Sequence, residues 1–241
     1  MLRTRSFVKF RKVLAPAAAA VAVMLSGVAS AADFSGKRIT IVVPFNEGGG
    51  TDSYTRFMQP YFQKYLPGNP KIIVQNKPGA GGILGGNFFA QKAKTDGTWV
   101  FALSTSTISN FALGDPRVKF KLNEFIPIIL SPRGTMQYVR KDLGLQDIST
   151  LKGRVEKMRS FPKEKLVFGG KTPTSMGLSM RVGLSLLGIE TKDVWGMKGN
   201  GPMALAFERG EFTVNFDNTL SYKNNRKKLH VDGTAVPFYT F

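Results

Sequence analysis

Four short stretches set glycines and hydroxyl side chains directly ahead of helix-like patterns: Gly48-Gly49-Gly50-Thr51-Asp52, Gly79-Ala80-Gly81-Gly82, Ser104-Thr105-Ser106-Thr107 and Gly170-Lys171-Thr172-Pro173-Thr174-Ser175. The chemistry this permits is anion binding. Unpaired backbone N–H groups and the positive end of a helix dipole face outward at such turns, glycine lets a ligand approach the backbone, and hydroxyls add donors. Covalent chemistry has few candidates. The chain has no cysteine and a single histidine, His230, in a basic tail, which excludes most His-based triads, zinc sites and Cys nucleophiles. A serine/lysine or carboxylate enzyme is the alternative left, and only Asp52 and Asp217 stand out as acids at strand ends. No catalytic residue, metal ligand or cofactor is expected.

Nucleotide motifs fail on inspection. Gly48-Gly49-Gly50-Thr51-Asp52 lacks the lysine of a P-loop. Gly79-Ala80-Gly81-Gly82-Ile83-Leu84-Gly85 follows the second strand unit, has Pro78 ahead of it, and lacks a strand-end acid about 20 residues on.

The elements that must position these loops alternate in kind. Ile39 to Val43, Lys71 to Gln75 and Trp99 to Leu103 read as buried parallel strands, separated by helical patterns through Phe57 to Tyr65 and Ile83 to Ala93. After a junction near Asp115 to Phe125 the plan is expected to repeat. Strands fall at Ile126 to Leu130, Met136 to Arg140, Leu166 to Gly170, Val194-Trp195 and Thr213 to Phe216, with helices around Ile148 to Arg159, Met176 to Leu187 and Met203 to Arg209. The fold class is α/β, with parallel-rich sheets, helices on both faces and two lobes.

Val43-Pro44-Phe45-x-x-Gly48-Gly49-Gly50-Thr51-Asp52 and Gln75-Asn76-Lys77-Pro78-Gly79-Ala80-Gly81-Gly82, with Asp96-Gly97 before the third strand, resemble the opening signatures of the substrate-binding proteins of tripartite tricarboxylate transporters, the Bug family. Lys198-Gly199-x-Gly201-Pro202 and Gly210-Glu211-x-x-Val214-x-Phe216-Asp217 resemble its later motifs. The resemblance implies a periplasmic, type II-like two-lobed binding protein, expected to be monomeric. Its partners would be a small carboxylate ligand and a membrane permease. By matched position it implies that Phe45, Gly49, Thr51 and Asp52 line one wall of the cleft. Ala80, Gly81 and Gly82 present backbone donors on a second wall, Ser104 and Thr105 add hydroxyls, and Thr172, Thr174, Ser175 and Asp217 close from the other lobe. Asp52 also reads as an early-helix acid, and Asp217 either accepts from a ligand amine or braces its loop. A sensor for a membrane signalling protein is the other function consistent with such lobes.

Three positions depart from the family pattern: Asn46-Glu47 at the mouth of the first loop, Lys171-Thr172-Pro173-Thr174 in the second lobe, and Met197. A carboxylate at an anion mouth repels a di- or tricarboxylate, a citrate-like one included, unless it points to solvent or meets a ligand cation.

The N-terminus reads as a cleavable secretory signal over residues 1–31: five cations without an acid, an apolar stretch from Val13 to Val28, then Ala29-Ser30-Ala31. An uncleaved anchor is the alternative, and Pro16 with the Ala-rich composition argues against it. Removal of that segment takes five of the 34 basic residues and none of the 16 acidic ones, so the net charge falls from +18 to +13. The remaining cations are scattered apart from Lys223 to Lys228, so a nucleic-acid partner is not expected. Lobe 1 is expected over 32–120 and lobe 2 over 121–232, with 233–241 beginning a strand that crosses back toward lobe 1. In the family pattern further elements complete lobe 1, which is therefore expected to be incomplete here.

Overall fold

β-Branched runs alternate with stretches of helical period, and the chain folds into two α/β lobes whose strands end at the glycine-rich loops. The computed structural model describes residues 32–132 and 134–240; the export signal expected at 1–31 lies outside the described residues. The first lobe comprises Arg38–Val43 (β1), Gly50–Tyr65 (α1), Lys71–Asn76 (β2), Ile83–Lys92 (α2), Trp99–Phe101 (β3) and Thr105–Ala112 (α3). Its three strands are all parallel in the order β2-β1-β3, with Ile41 of β1 opposite Val74 on one side and Val100 on the other.

Side chains alternate along β1, so the sheet has two distinct faces. Ile39 and Ile41 join Ile72 on one face and pack against Phe34, Phe62 and Leu66. The other face carries Trp99 and Phe101, which meet Phe88 and Phe89 of α2 at ring separations of 6.2 and 5.1 Å. Phe125 closes this cluster edge-on, 5.3 Å from Phe89. Such aromatic pairs contribute about 0.5–1.5 kcal/mol each beyond area burial.

The second lobe comprises Thr135–Arg140 (β4), Leu151–Arg159 (α4), Val167–Gly169 (β5), Gly177–Leu186 (α5), Lys192–Val194 (β6), Asn200–Glu208 (α6), Val214–Asn218 (β7), Thr219–Asn225 (α7), Lys227–Val231 (α8) and Ala235–Thr240 (β8). Its strand order is β6-β5-β7-β4-β8. One face carries Tyr138, whose ring lies 4.9 Å from Phe207 of α6 and 5.0 Å from Tyr222 of α7. The opposite face carries Phe216 stacked on Phe168 at 5.7 Å, under α5. Tyr138, Phe168, Phe207 and Phe216 are fully buried, and the apolar core is centred on this lobe.

Two expectations change. The second lobe does not repeat the first: β4 is antiparallel to both β7 and β8, because it enters the sheet from the interlobe connection and not through a crossover helix. The apolar run Ile126 to Leu130 forms no strand; Pro127 and Pro132 remove ladder donors, and Ile126, Ile128, Ile129 and Leu130 are exposed. β8 lies beside β4 at the edge of the second sheet. Among the described residues no helix is long and apolar enough to cross a membrane.

Candidate functional site

Strands β1, β2 and β3 of one lobe and β5, β6 and β7 of the other all run out at their carboxyl ends into loops that open a helix, and these loops meet one another. The crevice beyond the carboxyl ends of parallel strands is where open α/β sheets bind ligands. The α1 loop approaches the second lobe closely enough that a Cβ on Gly50 would overlap the Asn218 amide. Gly81, at φ +63°, would place a Cβ 3.0 Å from Asn110 Nδ2 and 3.1 Å from Thr172 Oγ1. The close approach of the lobes thus depends on residues without side chains.

Asn110 stands at the centre of this contact, fully buried on α3. Its Nδ2 donates to the carbonyls of Gly81 at 3.1 Å and Ala80 at 3.4 Å. Its Oδ1 accepts from Thr172 Oγ1 at 2.9 Å, and Thr174 Oγ1 lies 2.8 Å from both Asn110 Oδ1 and Asp115 Oδ2. Arg117 pairs with the same carboxylate at 2.7 Å, and this guanidinium holds Asp115 far below the usual carboxylate range against the effect of burial, with Thr174 adding a hydrogen bond. Ser106 Oγ accepts from the Met176 backbone N–H at 3.4 Å, so the α5 entry is bonded to the α3 N-terminal turn. Ser106 and Asn110 are four apart and share a helix face.

A second contact surrounds Phe45. Its buried ring lies beside Gly82 and Thr107, and the Lys171 ammonium of the other lobe sits 5.4 Å from the ring centre. Lys171 Nζ also lies 5.6 Å from the Phe216 ring and donates to Asn200 Oδ1 at 2.7 Å. Asn200 Nδ2 donates in turn to Asp217 Oδ1 at 2.7 Å, and Arg226 Nε stands 3.3 Å from Asp217 Oδ2. Burial raises the Asp217 carboxyl above its ordinary range, and Arg226 and Asn200 counter that effect in part.

The residues singled out by sequence fall into three groups. Phe45, Gly81, Gly82, Thr172 and Thr174 come together at the interlobe contact, with the Ala80 carbonyl. Gly49, Thr51, Asp52, Ser175 and Asp217 sit at the loops but engage their own surroundings. Asp52 accepts from Gly48 N–H at 2.9 Å, Asn76 Nδ2 at 2.9 Å and Arg56 Nε at 3.0 Å. Burial opposes its ionisation, and these three donors outweigh burial and lower its pKa. Gly49 N–H donates to Asn46 O at 3.2 Å, the Thr51 carbonyl accepts from Thr55 Oγ1, and Ser175 Oγ donates to Thr172 O at 2.8 Å. Asp217 braces its loop, also accepting from Asn218 N–H at 3.0 Å. The third group is peripheral: Ser104 is half-buried ahead of α3 and Thr105 is exposed. Glu47 is exposed, so it does not charge the interior of the cleft. Asn110 and Asn200 are residues that sequence reasoning passed over, and Thr107 and Lys171 were placed in the loops without being assigned to the site. The legible signal was Lys171, a lone cation directly after a strand-ending Gly-Gly.

No family model matches the chain. It is 25% identical over 217 residues to the UPF0065 protein in the tcbD–tcbE intergenic region of Pseudomonas sp. strain P51, which aligns 89% of this chain with 62% of that protein. Protein BugT of Bordetella pertussis is 31% identical over 100 residues, 41% of this chain and 30% of BugT. Among solved structures, MatC from Rhodopseudomonas palustris with bound malate superposes with a TM-score of 0.68 at 23% identity, covering 84% of this chain and 66% of MatC. The chain therefore spans about two thirds of the length of these relatives at most. Two α/β lobes meeting at strand-end loops are the fold this chain shares with MatC and with the periplasmic binding protein BugD. Within that fold the chain is similar in sequence to BugT and to the UPF0065 protein, over part of their length.

Proposed function

We propose that this chain captures a small carboxylate-bearing metabolite between its lobes, outside the cytoplasm, and delivers it to a membrane permease of the tripartite tricarboxylate type. In this reading residues 1–31 direct export and are removed. The observation that carries it is the convergence of the strand-end loops of both lobes on one contact, where Phe45, Gly81 and Gly82 of the first face Lys171, Thr172 and Thr174 of the second. Helix N-termini and a buried cation at that contact favour an anion. The malate bound by MatC is consistent with the same class of ligand. Closure of two lobes over a ligand is the motion such an arrangement supports.

The test is a thermal-shift screen of the folded chain against mono- and dicarboxylates, acidic amino acids and pyridine carboxylates. At least one acid is expected to raise the melting temperature without being consumed. The reading fails if none stabilises the protein, all the more if one of them is turned over.

A further inference from the structure

Lys171 is the buried group whose chemistry the scaffold leaves incomplete. It is 4% exposed, yet its ammonium has one hydrogen-bond acceptor among the described residues, Asn200 Oδ1 at 2.7 Å. An ammonium carries three donors, and burying a charge with donors unmet is costly. The two aromatic rings beside it, Phe45 and Phe216, attract the cation through their faces but accept no conventional hydrogen bond. Two further buried polar atoms flank Phe45 without partners, Thr107 Oγ1 and Asn46 Oδ1. Part of the unmet polar capacity at the interlobe contact thus lies beside Phe45, next to the Lys171 ammonium.

The acids at the same contact are in the opposite condition. Asp217 is engaged by Asn200, the Asn218 N–H and Arg226, and Asp52 by Arg56, Asn76 and the Gly48 N–H. Among the described residues Asp217 Oδ2 makes no hydrogen bond but is ion-paired to Arg226, so each carboxylate already faces a guanidinium where a ligand ammonium would have to bind.

Resting on the carboxylate reading above, we infer that Lys171 is the specificity-determining cation of the cleft, that it meets the ligand's carboxylate directly, and that the ligand carries no ammonium group. The charged groups facing Lys171 are Asp217 from β7 and, across Asn200, Arg226 from the α7–α8 junction. Burial pushes the Lys171 ammonium down to about 8, and Asp217 offsets part of that effect. Its charge is therefore nearly complete only well below that value, half lost at it, and gone as pH rises further.

Calorimetric titration with acids matched except for the amine, succinate against aspartate and glutarate against glutamate, tests this on the wild type, Lys171→Met and Lys171→Arg, each first shown to be folded by circular dichroism. The amine-free acid is expected to bind wild type at least about tenfold tighter than its amino counterpart, and Lys171→Met to weaken it at least about tenfold. Wild-type affinity should fall between pH 7 and pH 9.5, while Lys171→Arg, whose charge does not titrate there, keeps a flat profile. Preference for the amino acid, a folded Lys171→Met that binds as wild type does, or a flat wild-type pH profile overturns the assignment and leaves the carboxylate reading standing. Failure of every acid to bind folded wild type overturns both.

Discussion

The two lobes reach their packing by different means. In the second, Tyr138, Phe168, Phe207 and Phe216 lie fully buried inside a five-stranded sheet with helices on both faces. In the first, three strands rest on Ile39, Ile41 and Ile72 on one face and an aromatic cluster on the other, and the following run from Ile126 to Leu130 meets solvent. Their electrostatics differ as well. The first lobe's acids, Asp52 and Asp115, are held ionised by arginines and N–H donors, whereas Asp217 of the second is pushed toward protonation by burial. The comparison teaches that the second lobe holds the larger buried core. The first owes part of its order to the second, through Asn110, Thr172 and Thr174.

The largest effect expected from this contrast is in the second core. Phe216→Ala should cost about 3–5 kcal/mol in urea unfolding, by lost burial and a cavity. Ile41→Ala in the smaller core should cost about 2 kcal/mol and act locally, so that native-state hydrogen exchange of β1–β3 accelerates while β4 and β7 stay protected. Equal loss of protection in both lobes would break the comparison.

Arg226→Ala should destabilise by about 3–5 kcal/mol, because it removes the guanidinium paired directly with the fully buried Asp217 carboxylate and leaves only the more distant Lys171. The companion Asp217→Asn is expected to cost clearly less, and a reversal of that order in thermal melts would contradict the pairing.

At the contact between lobes, Asn110→Ala removes the acceptor of Thr172 and Thr174 and the donor to the Ala80 and Gly81 carbonyls. The cost should be about 1–3 kcal/mol, with faster exchange of first-lobe amides in particular. Were the exchange change confined to the second lobe, Asn110 would not be the tie described here.

Acid should separate the lobes by roughly 1 kcal/mol or less in each direction. Asp52 has a lowered folded pKa, so its contribution is present above the ordinary carboxylate range and is lost as pH falls through the folded value. Asp217 has a raised folded pKa, so protonating it on the way down adds stability. First-lobe amides should therefore lose protection before second-lobe amides between pH 5 and pH 3, as hydrogen exchange would show. The smallest effect is expected at Ile128→Ser, within about 0.5 kcal/mol, since that side chain is 72% exposed.

Much of this arrangement was legible beforehand, and for physical reasons. The β-branched run Ile39 to Val43 and the period-two placement of Ile39 and Ile41 specify a buried strand whatever its neighbours. Glycine-rich turns such as Gly79 to Gly82 announce the loops by their backbone demands. Which side chains face across the contact was not legible. Asn110 reads as an ordinary polar helix residue until Gly81 and Thr172 are brought to it from 29 and 62 positions away. The antiparallel course of β4 was hidden as well, because Met136 to Arg140 looks the same in either direction. Ile126 to Leu130 carries the composition of a strand, but strand formation depends on a partner, and none of the described residues supplies one.

The central claim is that the contact between the lobes is the ligand site. Calorimetric titration of the folded chain with the acid that most raises its melting temperature, in wild type and in Gly82→Val, tests it most directly. Gly82 holds φ +99°, and a side chain there presses on Thr107 and Phe45 at the centre of the contact. The expected result is one acid bound per wild-type chain and binding lost in a folded Gly82→Val. Binding of undiminished affinity in that variant would place the ligand elsewhere and contradict the account.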